Sequence, residues 1–308
     1  MANANYVFLL SLSIITIGYI VKKLKIITED NGKVLVKVIF NITLPAVILK
    51  VVSSFELNFS LFLLPIISLV FSIFILIICY FLFRNKPKHI KGIILITVIG
   101  FNVGNFAFPL IEGIWGEEGL QYIAMLDIGN AFVIFGIINI IAAIFSPNND
   151  NENRKITVKY IGLRLIKSVP LMSYIFALSI NLSGLSLPIF VLDFLDILSR
   201  ANMALSLLAL GIFLNFKFKK SEWNNIIKIL IIRYIFGFTI GLTLFLLLPF
   251  DLLYRTIVFI CLILPMGMGT ILFAVEFEHD DKIAGIVGNL TIIISFILIW
   301  IIVIIVGA

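Results

Sequence analysis

Two clusters of glycine, proline and asparagine interrupt otherwise apolar runs, and they are the places in this sequence best suited to hold a ligand. The first lies in GFNVGNFAFPLIEGIWGEEG, where Asn102 and Asn105 stand among Gly100, Gly104 and Pro109. The second lies in LPMGMGTILFAVEF, with Pro265, Gly267 and Gly269. Proline removes a backbone donor and collides with the preceding turn, so a helix breaks near it. A break at membrane depth leaves N–H and C=O groups that lipid cannot satisfy, and it survives where protein, water or a ligand meets the need. Each new half-helix N-terminus carries roughly half a positive charge and presents free N–H groups, which suits an anion. The Asn102 and Asn105 amides can donate to a carboxylate, and they can equally satisfy freed carbonyls. Around the second break the ligand groups would be backbone, because Met266 and Met268 offer no polar side chain. The competing reading is a pair of packing kinks, since the GxxxG spacings Gly100–Gly104 and Gly237–Gly241 favour close helix contact.

A few ionisable or amide side chains lie inside other apolar runs. Asp127 falls in the fifth run. A charge at that depth costs roughly 2.5–3.5 kcal/mol, so it needs a partner or a function. It could exchange a proton and so drive a coupled process; a structural hydrogen bond or a water-filled outer vestibule is the alternative. Arg200 falls near the middle of the seventh run, where a guanidinium could hold a carboxylate through a forked contact. Asp196, four residues earlier on the same helix face, offers an internal ion pair instead. Asn41, beside Pro45, could face the same cavity, whereas Lys37 and Lys50 lie near span ends and are expected to snorkel. Asn139 and Asn289 read as helix–helix glue. Cys79 and Cys261 sit far apart in apolar runs with no metal or redox spacing, and His89 and His279 fall in expected loops, so neither a metal nor any other cofactor is expected.

The elements that must position these residues follow from composition. The chain is 61% hydrophobic and only 13% charged, with a mean hydropathy of +1.18. A soluble domain carries about 25% charged residues, so the bilayer is the available solvent. The net charge of +6 sits in short loops, a pattern that sets membrane orientation and suggests no nucleic-acid partner. With about 20 apolar residues needed per crossing, spans are expected near 5–22, 34–53, 59–83, 92–111, 120–145, 161–182, 191–215, 225–248, 254–276 and 283–307. The first reads as a retained helix, since its lysines follow it and no small-residue cleavage site is present.

Lysine and arginine gather after the first, third, fifth and seventh spans, while the alternate loops are nearly free of them. The positive-inside rule then places both termini outside a plasma membrane that the chain crosses ten times. The acidic loop EFEHDDK, expected on the cytoplasmic side, weakens this only slightly, because acidic residues count little in the rule. The polar stretch 146–160 divides the spans into halves, 1–145 and 161–308. Five spans per half require the second half to be inserted upside down. The charge pattern reverses accordingly: the loop after span one is basic and its counterpart after span six is not. The two interrupted spans, fourth and ninth, occupy corresponding positions, the arrangement that points best to a transporter binding site.

These segments resemble the auxin efflux carrier family, which includes the plant PIN proteins and bacterial organic-acid permeases. FNITLPAVI (Phe40 to Ile48) resembles its second-helix N-x-x-L-P pattern, GFNVGNFAFPL its fourth-helix crossover motif, LPMGMGTILFAVEF the ninth-helix crossover, and LSRANMALSLLALGIFL its seventh helix. The resemblance implies an all-α integral membrane fold of two inverted five-helix repeats, with broken helices four and nine crossing. Helices one, two, six and seven would form a scaffold, often dimeric, and the others a moving, elevator-like transport domain. It also implies small carboxylate substrates and places a substrate-contacting asparagine in the Asn102–Asn105 motif.

Two other classes compete. A sodium-coupled symporter of the bile-acid type would share the crossed helices but group acidic and amide residues around both breaks, and the second break is poor in oxygen-bearing side chains. An enzyme would place paired carboxylates, histidines or a nucleophile–base set at one depth, and none is evident. A membrane sensor would be expected to carry a soluble output domain, yet the last apolar run extends to the final residues.

Overall fold

The computed structural model describes residues 4–147, 158–215 and 223–307. Its described residues form helices joined by short turns, with no strand among them. In chain order these are α1 (Ala4–Lys23), α2 (Glu29–Val52), α3 (Phe59–Leu82), α4 (Lys88–Val98), α5 (Phe108–Phe132) and α6 (Asn139–Ile144). They continue with α7 (Val158–Ile166), α8 (Val169–Leu182), α9 (Ile189–Phe213), α10 (Trp223–Leu247), α11 (Leu252–Leu262), α12 (Met268–Glu276) and α13 (Asp281–Val306). Seven helical stretches among the described residues are long and apolar enough to cross a membrane, or eight if the bent pair α7–α8 counts as one. The stretch from Lys88 to Ile144 enters that count as a single run of 57 residues, which at 1.5 Å per residue is far longer than one crossing.

Local chemistry explains the boundaries. Asn58, Ser168, Asp251 and Asp280 each accept a backbone N–H from the first turn of α3, α8, α11 and α13, as N-cap residues do. The acidic loop before α13 thus includes a helix cap. Gly116, at φ 62° and ψ −145°, breaks helical geometry inside α5. It stands where a whole loop was expected between the fourth and fifth spans, and the chain is helical on both sides of it. The sixth span is not the continuous helix expected over 161–182. α7 and α8 are bent by 75°, because Pro170 occupies the first turn of α8 and Ser168 caps it. Helix α7 also starts at Val158, inside the expected linker, of which residues 148–157 lie outside the described part.

The core lies around α4, α5 and α11, whose side chains are largely buried. By contrast α3 turns Ile66, Val70, Phe74, Ile77 and Phe81 outward, an apolar outer face that suits lipid. Helices α1 and α9 touch backbone to backbone at Gly18 and Gly211. A Cβ on Gly211 would collide with the Ile15 carbonyl oxygen, which belongs to a helix backbone and cannot swing aside. Gly211→Val is therefore expected to lower stability by about 1–3 kcal/mol, read as a drop of several degrees in the unfolding midpoint of detergent-purified protein. Gly285→Ala, where nothing lies within 4 Å of the new Cβ, should leave the midpoint unchanged.

Candidate functional site

The two interruptions meet. Asn102 N–H donates to the Pro265 carbonyl oxygen at 2.9 Å, joining the gap between α4 and α5 to the gap between α11 and α12. Gly100 takes φ 74°, a conformation that favours glycine, and the chain leaves α4 there. It re-enters helix through a π-type turn, Val103–Ala107, in which Ala107 N–H bonds Asn102 C=O. No side chain caps that turn, and none caps α12 at Gly267. The approach is tight: a Cβ on Gly267 would come within 3.1 Å of the Phe101 carbonyl oxygen.

A small cavity of about 30 Å³ lies at this meeting point, lined by Asn102, Gly104, Asp127, Asn130, Gly267 and Gly269 among others. That is room for about one water, so the site is nearly closed in this conformation. The Asn102 side chain is buried and its Nδ2 has no hydrogen-bond partner. Asn105 Nδ2 instead meets the Met268 sulfur at 3.2 Å, and its Oδ1 faces the Ser206 hydroxyl at 3.5 Å. Met268, expected to offer nothing polar, thus serves as a weak acceptor. Pro109 sits buried in the first turn of α5.

Asp127 is buried beside the cavity and fully engaged. Tyr174 OH donates to Oδ2 at 2.7 Å, and Asn130 Nδ2 donates to Oδ1 at 2.7 Å. Asn130 also holds both backbone groups of Phe101, accepting its N–H at 2.8 Å and donating to its C=O at 3.0 Å. The carboxylate is thereby wired to the first break.

A larger vestibule of about 700 Å³ adjoins the cavity, and Phe40, Phe135, Pro170 and Gly269 line both. Lys37, Asn41, Asn139, Arg164, Lys167 and Glu276 line the vestibule. Asn41 belongs to this larger chamber; its Nδ2 bonds the Lys37 carbonyl at 2.7 Å. Arg200 is not brought to the crossing. Its side chain is 78% exposed and pairs with Asp196 at 2.7 Å, the internal ion pair that its spacing offered. Lys50, expected to snorkel, bonds the same Asp196 and also Glu117, each at 2.9 Å.

A sequence model of the membrane transport protein family matches residues 7–305. The chain belongs to this family, the auxin efflux carriers. It is 27% identical over 290 residues to an uncharacterized transporter of Methanocaldococcus jannaschii, covering 90% of each chain. It is 26% identical over 211 residues to an uncharacterized transporter of Methanothermobacter thermautotrophicus, covering 67% of each. The protein is a multi-pass membrane transporter.

In this auxin efflux carrier family member the residue that braces the crossing from behind is Arg233 on α10, which the sequence reading passed over. Its guanidinium is buried and donates to the carbonyls of Val98 at 2.9 Å, Gly100 at 3.1 Å and Leu264 at 3.0 Å, with Thr97 farther at 3.4 Å. One side chain thus gathers the orphan carbonyls that end both α4 and α11. The signal was available: an arginine about ten residues inside an apolar run of 25 demands a partner. From α13, Thr291 Oγ1 accepts the Met266 N–H at 3.1 Å, and Ser295 Oγ donates to Ile263 C=O at 2.6 Å. Thr270, in the first turn of α12, is buried with an unpartnered hydroxyl. It gives the second break an oxygen-bearing side chain that the sequence reading did not count.

Asn130→Leu removes both bonds to Phe101 and leaves two buried backbone groups unsatisfied, at about 1–3 kcal/mol each. It should lower the unfolding midpoint of the purified carrier and abolish its transport. Ser206→Ala, which removes only a contact at 3.5 Å, should change the midpoint little.

Proposed function

We propose that this protein is a secondary transporter that exports or exchanges small organic anions, carboxylates above all, by alternating access around the crossed breaks. The observation that carries the reading is the joined crossing. Asn102 N–H bonds Pro265 C=O, and two uncapped helix starts and the unpartnered Asn102 amide converge on one buried cavity. Free N–H groups at helix starts favour negative charge. The amide nitrogen adds a directed donor, and the glycines allow an anion to approach the backbone.

On this reading the chain crosses the plasma membrane ten times, as two inverted five-helix halves. The run 88–144 supplies two crossings separated at Gly116, the bent pair α7–α8 one, and the broken pair α11–α12 one. The vestibule lined by Lys37, Arg164 and Lys167 is the cytoplasmic approach, with both termini outside, and Asp127 carries the coupling proton. Helices α1, α2 and α7 to α9 form the scaffold of a homodimer, and the remaining helices slide against it.

Uptake of labelled malate, malonate and an indole carboxylate into proteoliposomes tests this. At least one should be carried, a proton gradient should speed it, and Asn102→Ala should reduce it at least tenfold. Transport driven by a sodium gradient alone would favour the bile-acid type of symport. Failure to carry any of the three, or full activity in Asn102→Ala, would remove the anion reading.

A further inference from the structure

Arg233 does more than close a hydrogen-bond count. Every acceptor it meets is a neutral backbone carbonyl, and no acidic side chain forms a salt bridge with it among the described residues. A buried cation without a counter-ion is costly, and the two helix C-termini it meets, each bearing about half a negative charge, together offset about one unit of charge. The space beside the guanidinium measures about 10 Å³, at the lower limit for one water and too small for an anion. The guanidinium, which also lies 5.7 Å from the Phe101 ring centre, thus cancels the negative ends, and the positive helix starts at Val103 and Met268 stay uncancelled across the wall of the crossing.

That wall is thin. Phe101 borders both the space beside Arg233 and the small cavity, and Nη2 bonds the carbonyl of Gly100, two residues before Asn102. Two peptide steps of 3.8 Å put the guanidinium within about 10 Å of the cavity. At the effective dielectric of protein interiors, a unit charge at that distance changes affinity for a monovalent anion on the order of tenfold. The ionisable side chain facing the cavity from the other side is Asp127; once it is protonated, the field of Arg233 is left to the cargo.

We infer that Arg233 is the charge-selecting residue of this transporter: its buried, carbonyl-held guanidinium makes the crossing net positive and so favours an anionic cargo over a neutral one without touching either. This rests on the anion reading above and assigns to Arg233 the fixed positive charge that the sequence offered at Arg200. A merely structural arginine would hold the breaks in place and would affect charged and neutral ligands alike.

The test is equilibrium binding to nanodisc-embedded protein at one fixed pH. The probe is whichever of malate, malonate and indole-3-carboxylate binds most tightly, paired with its neutral amide. Wild type should prefer the acid at least tenfold. Arg233→Gln keeps a donor for the carbonyls and removes the charge; it should cost about tenfold in carboxylate affinity and less than twofold in amide affinity. Arg233→Lys should recover the acid preference to within about threefold of wild type. Equal losses for acid and amide in Arg233→Gln, or no loss for either, would overturn the inference while leaving anion transport standing. Wild type that binds acid and amide equally would overturn it even if the variant does not fold. Wild type that binds neither member of any pair removes the anion reading, and the inference with it.

Discussion

An α-helix can cross lipid because every backbone group finds its partner within the helix, and this molecule gives up that protection at two places. Everything around the crossing answers the resulting need. The broken ends satisfy each other once, through Asn102 N–H and Pro265 C=O. The remaining carbonyls are collected by Arg233, the Phe101 peptide groups are held by Asn130, and Met266 N–H and Ile263 C=O are met from Thr291 and Ser295. These partners come from α5, α10 and α13, so the long helices are bound to the breaks by polar bonds as well as by packing. What is left without a side-chain cap is the pair of helix starts at Val103 and Met268, with the unpartnered Asn102 amide and Thr270 hydroxyl beside them. A protein that meets so many backbone groups and leaves those uncapped presents donors to its cavity, the feature on which the proposed anion preference rests.

The division of labour between the two sides of the crossing follows from helix polarity. Helix ends that present carbonyls, on α4 and α11, point to Arg233, and helix starts point to the cavity. The network on the cavity side runs from Tyr174 through Asp127 and Asn130 to Phe101. Tyr174 belongs to α8, beyond the bend that starts at Ser168. Asp127 is therefore bonded at once to the residue that holds the first break and to the bent helix, the connection that the proposed proton coupling would use.

Much of this was legible in the sequence, and what was not has identifiable causes. The glycine–proline clusters located both breaks because no side-chain packing can substitute for a missing backbone donor. Asp127 stood out because a carboxylate in an apolar run is expensive. Arg233 carried the same signal but sits in a run without glycine–proline interruption nearby, and only the fold brings it to the carbonyls of Val98 and Leu264. For Arg200 the sequence left a ligand and an ion pair with Asp196 both open, because a helix position gives no azimuth; in the structure its side chain lies 78% exposed and pairs with Asp196. The bend between α7 and α8 was written locally in Ser168 and Pro170, yet the apolar run through them suggested one continuous helix. Gly116 replaced an expected loop because a single residue with positive φ can reverse what hydropathy reads as several polar positions.

On the proposed function the cargo sits at the crossing, between the Asn102 amide and the start of α12. An experimental structure of the protein with a brominated small carboxylate, in which the bromine is located by anomalous scattering, addresses this directly. The account predicts the bromine peak within about one side-chain length of Asn102, with the carboxylate against the N–H groups of Met268 and Gly269 and the cavity expanded around it. A peak confined to the larger vestibule near Arg164, or beside Arg200, with the crossing left closed, would contradict it.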